Sequence, residues 1–359
     1  MKINKKLYAL IMSLSLITVS ACASQANSED KFLPEATNDF LMTALPGNSD
    51  MRISYIDVGQ GDSEFIELPN GETLLIDAGT NETGKEAVNY IKSLGYTSID
   101  YVVGTHPHED HIGGLDDVIS TFNIGKIYMP KITADTKTFE DVLDAIDSKG
   151  LTINTAKAGV TLVETDGLSV KILAPVSDSY SNTNDYSAVI KIIYGDTSFL
   201  FMGDAEELSE SQITDDVSAD VLKAGHHGSS TSTSETFLDK VSPSTAIISC
   251  GKDNSYGHPH KETIDKFNER GIKYYRTDQL GTITAISDGK NISINSSDIG
   301  NKNSSPENSK NYVLNTNTKK IHLESCSSVK NISDNNKSYT DNYDKSIAEG
   351  YTPCGICKP

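Results

Sequence analysis

Six residues, His106-Pro107-His108-Glu109-Asp110-His111, constrain this chain more than any other stretch. They set three imidazoles and a carboxylate directly after the apolar segment Ile99-Asp100-Tyr101-Val102-Val103. A strand that ends in a turn aims such neighbours at one point, and these are the donors that borderline divalent metals prefer. The alternative is a solvated polar loop that holds histidines by accident. Only eight histidines occur in 359 residues and three fall here, which favours the metal site. Gly113 and Gly114 follow at once and let a helix start pack tightly beneath the ions.

The same arrangement recurs along the chain. Asp77 ends the apolar strand Leu74-Leu75-Ile76, and Asp204 follows Ser198 to Met202 and Gly203. His226 and His227 come after Val221-Leu222-Lys223-Ala224-Gly225, and His258 and His260 share the loop Tyr256 to His260. Any one of these alone reads as a cap or a turn. Together they point to one catalytic edge. Strand patterns at 51–58, 64–68, 73–76, 168–173, 187–193 and 198–202 alternate with helical stretches such as 84–94. The style continues with helices near 205–212, 233–240 and 261–270, and strands near 219–223, 245–249, 272–275 and 280–295. Strands grouped with helices outside them predict a layered α/β sandwich.

The ends read differently. Lys2, Lys5 and Lys6 precede an apolar run, Leu7 to Val19, that is short for a membrane span. It closes on Val19-Ser20-Ala21-Cys22, which resembles the bacterial lipobox. The expectation is a lipoprotein signal peptide over 1–21, with lipid on Cys22. The protein would then be exported and anchored to the outer face of the cytoplasmic membrane. An ordinary secretory signal is the alternative. Residues 22–49 read as a polar tether, 50–296 as the main domain, 297–310 as a linker and 311–359 as a separate small unit. A formal charge of −19 repels polyanions at long range, so an anionic substrate needs local positive charge. Bound metal ions would supply it. Lys223 and Arg276 are further candidate cations. No obligate protein partner is deducible.

The main domain resembles the metallo-β-lactamase superfamily, and within it the hydrolase-like domain of the ComEC family of DNA-uptake proteins. The residues that carry the resemblance are Ile56 to Ser63, Leu75 to Gly79, the histidine run, Leu222 to Ser229, Asn254 to Pro259 and Tyr275 to Asp278. The resemblance implies a four-layer αββα sandwich and two adjacent divalent ions, zinc or manganese. It places His106 and His108 on the first ion, Asp110, His111 and His226 on the second, with His227 the alternative to His226, and Asp204 between them. Asp77 and Asp57 would orient these ligands. It further implies a free-standing lipoprotein relative without ComEC's integral-membrane part.

The superfamily usually draws one more histidine for the first ion from the stretch before the bridging aspartate. Here no histidine lies between His111 and His226. Asn184 or Asp185 could offer oxygen instead, which would tilt that position towards manganese. Two such ions clamp an oxygen-rich substrate and yield hydroxide at neutral pH. A phosphodiesterase acting on extracellular DNA or nucleotides is therefore expected, with Asp110, His227 and His258 as catalytic groups. In this scheme His227 and His258 would protonate the leaving alkoxide or steady the phosphate, while Ser229 and Ser230 donate hydrogen bonds. The alternatives are a hydrolase of another ester or amide on the same fold, and a non-catalytic DNA-binding surface lipoprotein.

Five cysteines occur in the chain. Cys250 reads as a buried small hydrophobe. His322, Cys326, Cys354 and Cys357 form an H-x3-C and a C-x2-C, the donor set of a structural zinc. The segment also resembles the metal-binding module of the Ada repair protein, on Tyr312 to Asn315 and Gly350 to Cys354. Disulfides are the alternative, but three cysteines would leave one unpaired. Six lysines against five acids make this unit the least acidic part of the chain and a candidate nucleic-acid-facing piece.

Overall fold

The computed structural model describes residues 50–296, 312–323, 326–340, 346–347 and 350–357. The expected signal peptide, Cys22, the tether and the linker lie outside the described residues. Two sheets make up the main body. The first has eight strands in the order β15-β14-β1-β2-β3-β4-β5-β6. These are β1 Met51–Tyr55, β2 Glu64–Glu67, β3 Thr73–Ile76, β4 Ser98–Val103, β5 Asn123–Met129, β6 Ile153–Thr155, β14 Ile283–Ser287 and β15 Ile292–Ser296. The second has seven, ordered β13-β12-β11-β10-β9-β8-β7. These are β7 Val160–Thr165, β8 Leu168–Ala174, β9 Val189–Tyr194, β10 Thr197–Phe201, β11 Val221–Lys223, β12 Thr245–Ile248 and β13 Lys273–Arg276.

Three apolar interfaces stack these layers, as the alternation of side chains across a strand requires. Met51, Ile53 and Tyr55 of β1 and Phe199 and Phe201 of β10 meet between the two sheets. Leu75 and Val102 face outwards, against Ala87 and Ile91 of α1 (Gly84–Ser93), Val118 of α3 (Leu115–Thr121) and Val142 and Ile146 of α4 (Lys137–Ser148). Leu200 and Met202 face the other way, towards Phe237 and Leu238 of α5 (Glu235–Val241) and Phe267 of α6 (Lys261–Glu269). Helix, sheet, sheet, helix is the expected four-layer αββα sandwich. Local chemistry starts the helices: Thr136 Oγ1 accepts from Phe139 N, and Ser234 Oγ from Phe237 N.

Strands β3 to β6 run parallel, and so do β10 to β13. The carboxyl ends of β3, β4, β10, β11 and β12 therefore open on the loops that carry the acids and histidines, the place where open α/β sheets bind ligands. The strand over 123–129 and the twelve-residue helix α4 belong to the stretch that the sequence pattern left undivided.

The C-terminal residues form their own four-stranded sheet, β18-β16-β17-β19, from Tyr312–Asn315 (β16), Lys320–Leu323 (β17), Lys337–Thr340 (β18) and Thr352–Pro353 (β19). Tyr312, Leu314, Ile321 and Tyr351 make its small core. Among the described residues, no helix is long and apolar enough to cross a membrane.

Candidate metal centre

The histidine run leaves β4 and turns at once into a one-turn helix, α2 (Glu109–Ile112), which starts after His108. Close backbone approach holds that turn in place. A Cβ on Gly61 would lie 2.4 Å from Asp110 O, and one on Gly114 would lie 2.3 Å from Gly84 Cα, so only glycine fits. Asp77 accepts from Thr105 N at 2.8 Å and from Thr105 Oγ1 at 2.6 Å. Its Oδ2 also lies 2.8 Å from His111 Nδ1. That contact fixes the tautomer of His111 and leaves Nε2 facing the centre.

Asp204 is the hub. Its Oδ1 lies 3.1 Å from His111 Nε2 and 3.5 Å from His227 Nε2. Its Oδ2 lies 3.8 Å from His106 Nε2 and 3.6 Å from His226 Nε2. His106 Nε2 in turn is 2.9 Å from His108 Nδ1. Asp110 Oδ2 joins the Oδ1 side, 3.2 Å from His227 Nε2. Donors about 2.1 Å from one ion at a tetrahedral angle stand about 3.4 Å apart, so these spacings fit ion-sized gaps. His111 Nε2, His227 Nε2 and Asp204 Oδ1 are also buried without a hydrogen-bond partner, which is costly unless a cation sits among them. Donors from Asp62, His111, Asp204 and His227 lie within 4.8 Å of one another, as do those of His106, His108 and Asp204.

Electrostatics agree. Burial alone would lower His227, yet Asp204 and Asp62 outweigh it and push the imidazole up to about 10. Burial likewise opposes the charged form of His111, and Asp204, Asp110 and Asp77 reverse the shift to well above the ordinary value. The surrounding carboxylates stabilise positive charge here, whether a proton or a metal carries it.

Several sequence expectations change. His227, expected to move protons, occupies the place beside Asp110 and His111 that was expected for His226. The reason is local: His226 (φ 50°, ψ 47°) and His227 (φ 53°, ψ 24°) are both left-handed, and the turn brings His227 to Asp204 Oδ1 and His226 to Asp204 Oδ2. Asp57 is exposed and accepts from Gly59 N in its own turn, so it orients no ligand. His227 is oriented from elsewhere: its Nδ1 bonds Ser249 O at 3.1 Å, while Asp62 Oδ1, five residues after Asp57, lies 3.2 Å from the same nitrogen and supplies negative charge. Lys223 is buried against Asp62, and Arg276 is gripped by both oxygens of Asp278, so neither cation is available to a ligand. Asp185 Oδ1 accepts from Ser209 N, turned from the centre. Asn184 Nδ2 donates to Glu206, while its Oδ1 is buried without a partner.

His258 stacks on His227 at 6.1 Å and on Tyr256 at 5.6 Å. Burial and the neighbouring His227 and His226 hold it down to about 4. At pH 7 it is therefore neutral, suited to steadying a ligand or accepting a proton and poorly suited to donating one. Ser230 Oγ lies 3.1 Å from His260 Nδ1.

A family model described as "Metallo-beta-lactamase superfamily" matches residues 56–252. The chain belongs to that superfamily. Within it the chain is 32% identical over 265 residues to ComE operon protein 3 of Bacillus subtilis, covering 68% of this chain and 34% of that protein. It is 29% identical over 245 residues to Competence protein ComA of Neisseria gonorrhoeae, covering 67% of this chain and 33% of the relative. The chain thus spans about a third of the length of the curated relatives it matches. Among solved structures, the metallo-beta-lactamase fold protein YhfI from Bacillus subtilis aligns with 13% identity and a TM-score of 0.44, over 63% of this chain and 96% of that one.

A second donor group lies in the C-terminal sheet. One atom from each of His322, Cys326, Cys354 and Cys357 falls within 4.8 Å of all the others. Cys250, Cys326, Cys354 and Cys357 are all free thiols. Burial pushes the Cys354 thiol up, but the N–H groups of Cys357 and Ile356 outweigh it and bring the thiol down to about 7. His322 Nδ1 is buried without a partner. Thiolates that accept backbone N–H bonds beside an imidazole are the donor chemistry of a structural zinc.

Proposed function

We propose that this chain is a metal-dependent phosphodiesterase that acts on extracellular DNA or nucleotides. The observation that carries the reading is the division of Asp204, whose two oxygens face two separate sets of imidazoles. His106, His108 and Asp204 would hold one divalent ion, and Asp110, His111, Asp204 and His227 the other. Bound there, divalent ions would supply Lewis acidity towards a phosphoryl group and water acidified towards neutral pH. Asp77 and the Ser249 carbonyl keep His111 and His227 in the tautomers that free their Nε2 atoms. His258, neutral at pH 7, steadies the phosphate at the rim.

The electrostatics favour an anionic substrate only with ions bound. The chain carries −19, and the two candidate cations, Lys223 and Arg276, are both tied to aspartates. Relatives named for competence support DNA as the polymer. We further assign Cys22 as the lipid anchor that would keep the enzyme outside the cytoplasm. His322, Cys326, Cys354 and Cys357 are assigned a structural zinc in an Ada-like module.

The test uses the purified full chain with manganese or zinc, on single-stranded DNA and bis-p-nitrophenyl phosphate. Turnover that His108→Ala abolishes is expected. No turnover with any divalent metal, from protein that demonstrably binds the metal, would remove the phosphodiesterase reading. Hydrolysis of nitrocefin or a thioester in its place would redirect it to another ester or amide.

A further inference from the structure

The two donor groups around Asp204 are unequal: the Oδ1 side gathers Asp110, His111 and His227, whereas the Oδ2 side has only His106 and His108. We propose that His226 is the missing donor on the Oδ2 side, completing the first ion position through its Nε2. The inference rests on the two-ion reading above and adds a residue to it. His226 Nε2 stands 3.6 Å from Asp204 Oδ2, the same oxygen that His106 Nε2 approaches at 3.8 Å.

The other ring nitrogen of His226 is already held. Nδ1 lies 3.2 Å from Glu206 Oε1 and 3.2 Å from Thr231 Oγ1. Glu206 is fixed in turn by Asn182 Nδ2 at 2.8 Å, Asn184 Nδ2 at 3.0 Å and Thr231 Oγ1 at 3.0 Å. A carboxylate on the rear nitrogen, itself anchored, is how proteins aim a ligating imidazole. The same device serves His111 through Asp77, and a backbone carbonyl, Ser249 O, holds the rear nitrogen of His227 at 3.1 Å. His226 N also donates to Gly203 O at 2.9 Å, tying its turn to the residue before Asp204.

Two consecutive left-handed histidines are strained backbone, so something must hold them there. Sending one ring to each oxygen of Asp204 accounts for both. The His226 side chain is 23% exposed, so it has room to close on the first group, within whose 4.8 Å circle it does not yet lie. Asn184 is the competing donor because its Oδ1 is buried and unpartnered. Its Nδ2, however, lies at the rear of the ring, 3.5 Å from His226 Nδ1.

The test is calorimetric titration of Mn²⁺ into the metal-stripped full chain, read without substrate. Manganese is chosen because a hard ion avoids the thiolate group. Wild type should take up two ions. His226→Asn, which keeps a left-handed turn, should retain one and weaken the other about 100-fold or more. Glu206→Gln, with His226 in place, should weaken the same ion by about 10–100-fold. Far-ultraviolet circular dichroism checks that each variant is folded. If His226→Asn does not fold, Glu206→Gln decides the question. Two ions at wild-type affinity in both variants would overturn the inference, as would loss of the ion in Asn184→Ser but not in His226→Asn. No uptake by wild type would instead overturn the two-ion reading itself, and this inference with it.

Discussion

Lys223 Nζ lies 2.7 Å from Asp62 Oδ2 beneath the metal centre, and neither side chain is more than 2% exposed. Burial alone would raise Asp62, yet Lys223 and His227 overcome it and bring the carboxyl down to about 2. The pair therefore links the floor of the inter-sheet core to the charge on His227, which lies 3.2 Å from Asp62 Oδ1. Lys223→Met would leave that carboxylate charged and half-compensated. The expected cost is about 3–5 kcal/mol in urea unfolding of the metal-free chain. A loss below about 1 kcal/mol would show that His227 alone neutralises Asp62.

Asp77 bears on metal binding without touching a metal. Its Oδ2 serves both Thr105 Oγ1 and His111 Nδ1, and an amide nitrogen at that position can accept from neither. Asp77→Asn should weaken one Mn²⁺ by about 10–100-fold and leave the His106 side of the centre intact. Calorimetry reads the difference. Equal losses at both ion positions would mean that Asp77 supports the whole loop and has no specific hold on His111.

Much of this centre is legible in the chain because its chemistry is local. The histidine run, Asp77 and Asp204 each follow an apolar strand, and the parallel order of the strands brings their ends together. What stayed hidden depends on single backbone torsions and on register. Nothing in Gly225-His226-His227-Gly228 announces two left-handed residues, so the exchange of roles between the histidines could not be read. Asp57 and Asp62 belong to one segment, and only the path between β1 and β2 decides which reaches an imidazole. Lys223 alternates with apolar neighbours like any strand residue, and its burial follows from having Asp62 opposite.

Acid should expose a weak point away from the centre. Lys191, whose side chain is 6% exposed, donates to Asp216 Oδ2 at 2.8 Å. That bond, with those from Ser218, lowers Asp216 from 3.8 to about 2. A depressed carboxyl stabilises the fold above its unfolded pKa and loses that contribution as pH falls through the folded one. Asp216→Asn should therefore lower the melting temperature at neutral pH and approach wild type between about pH 4 and pH 2. Because Asp216 is largely exposed, solvent screening keeps the effect under about 1 kcal/mol. A gap that persists at the acid end would assign the loss to the Ser218 turn and not to charge.

The C-terminal thiols give a prediction independent of catalysis. Cys326→Ser should lower the zinc content of the isolated full chain by one ion and leave Mn²⁺ uptake at the main centre unchanged. Elemental analysis on the same samples reads both. Unchanged zinc would show that His322, Cys354 and Cys357 do not act with Cys326 as one site.

The central claim is a shared carboxylate between two cations, and anomalous X-ray scattering from crystals grown with manganese tests it directly. The account predicts two peaks about 3.5–4 Å apart, one on each side of the Asp204 carboxylate. His106 and His108 should border one peak, and His111 and His227 the other. A single peak, or two peaks with Asp204 bound to neither, would contradict it.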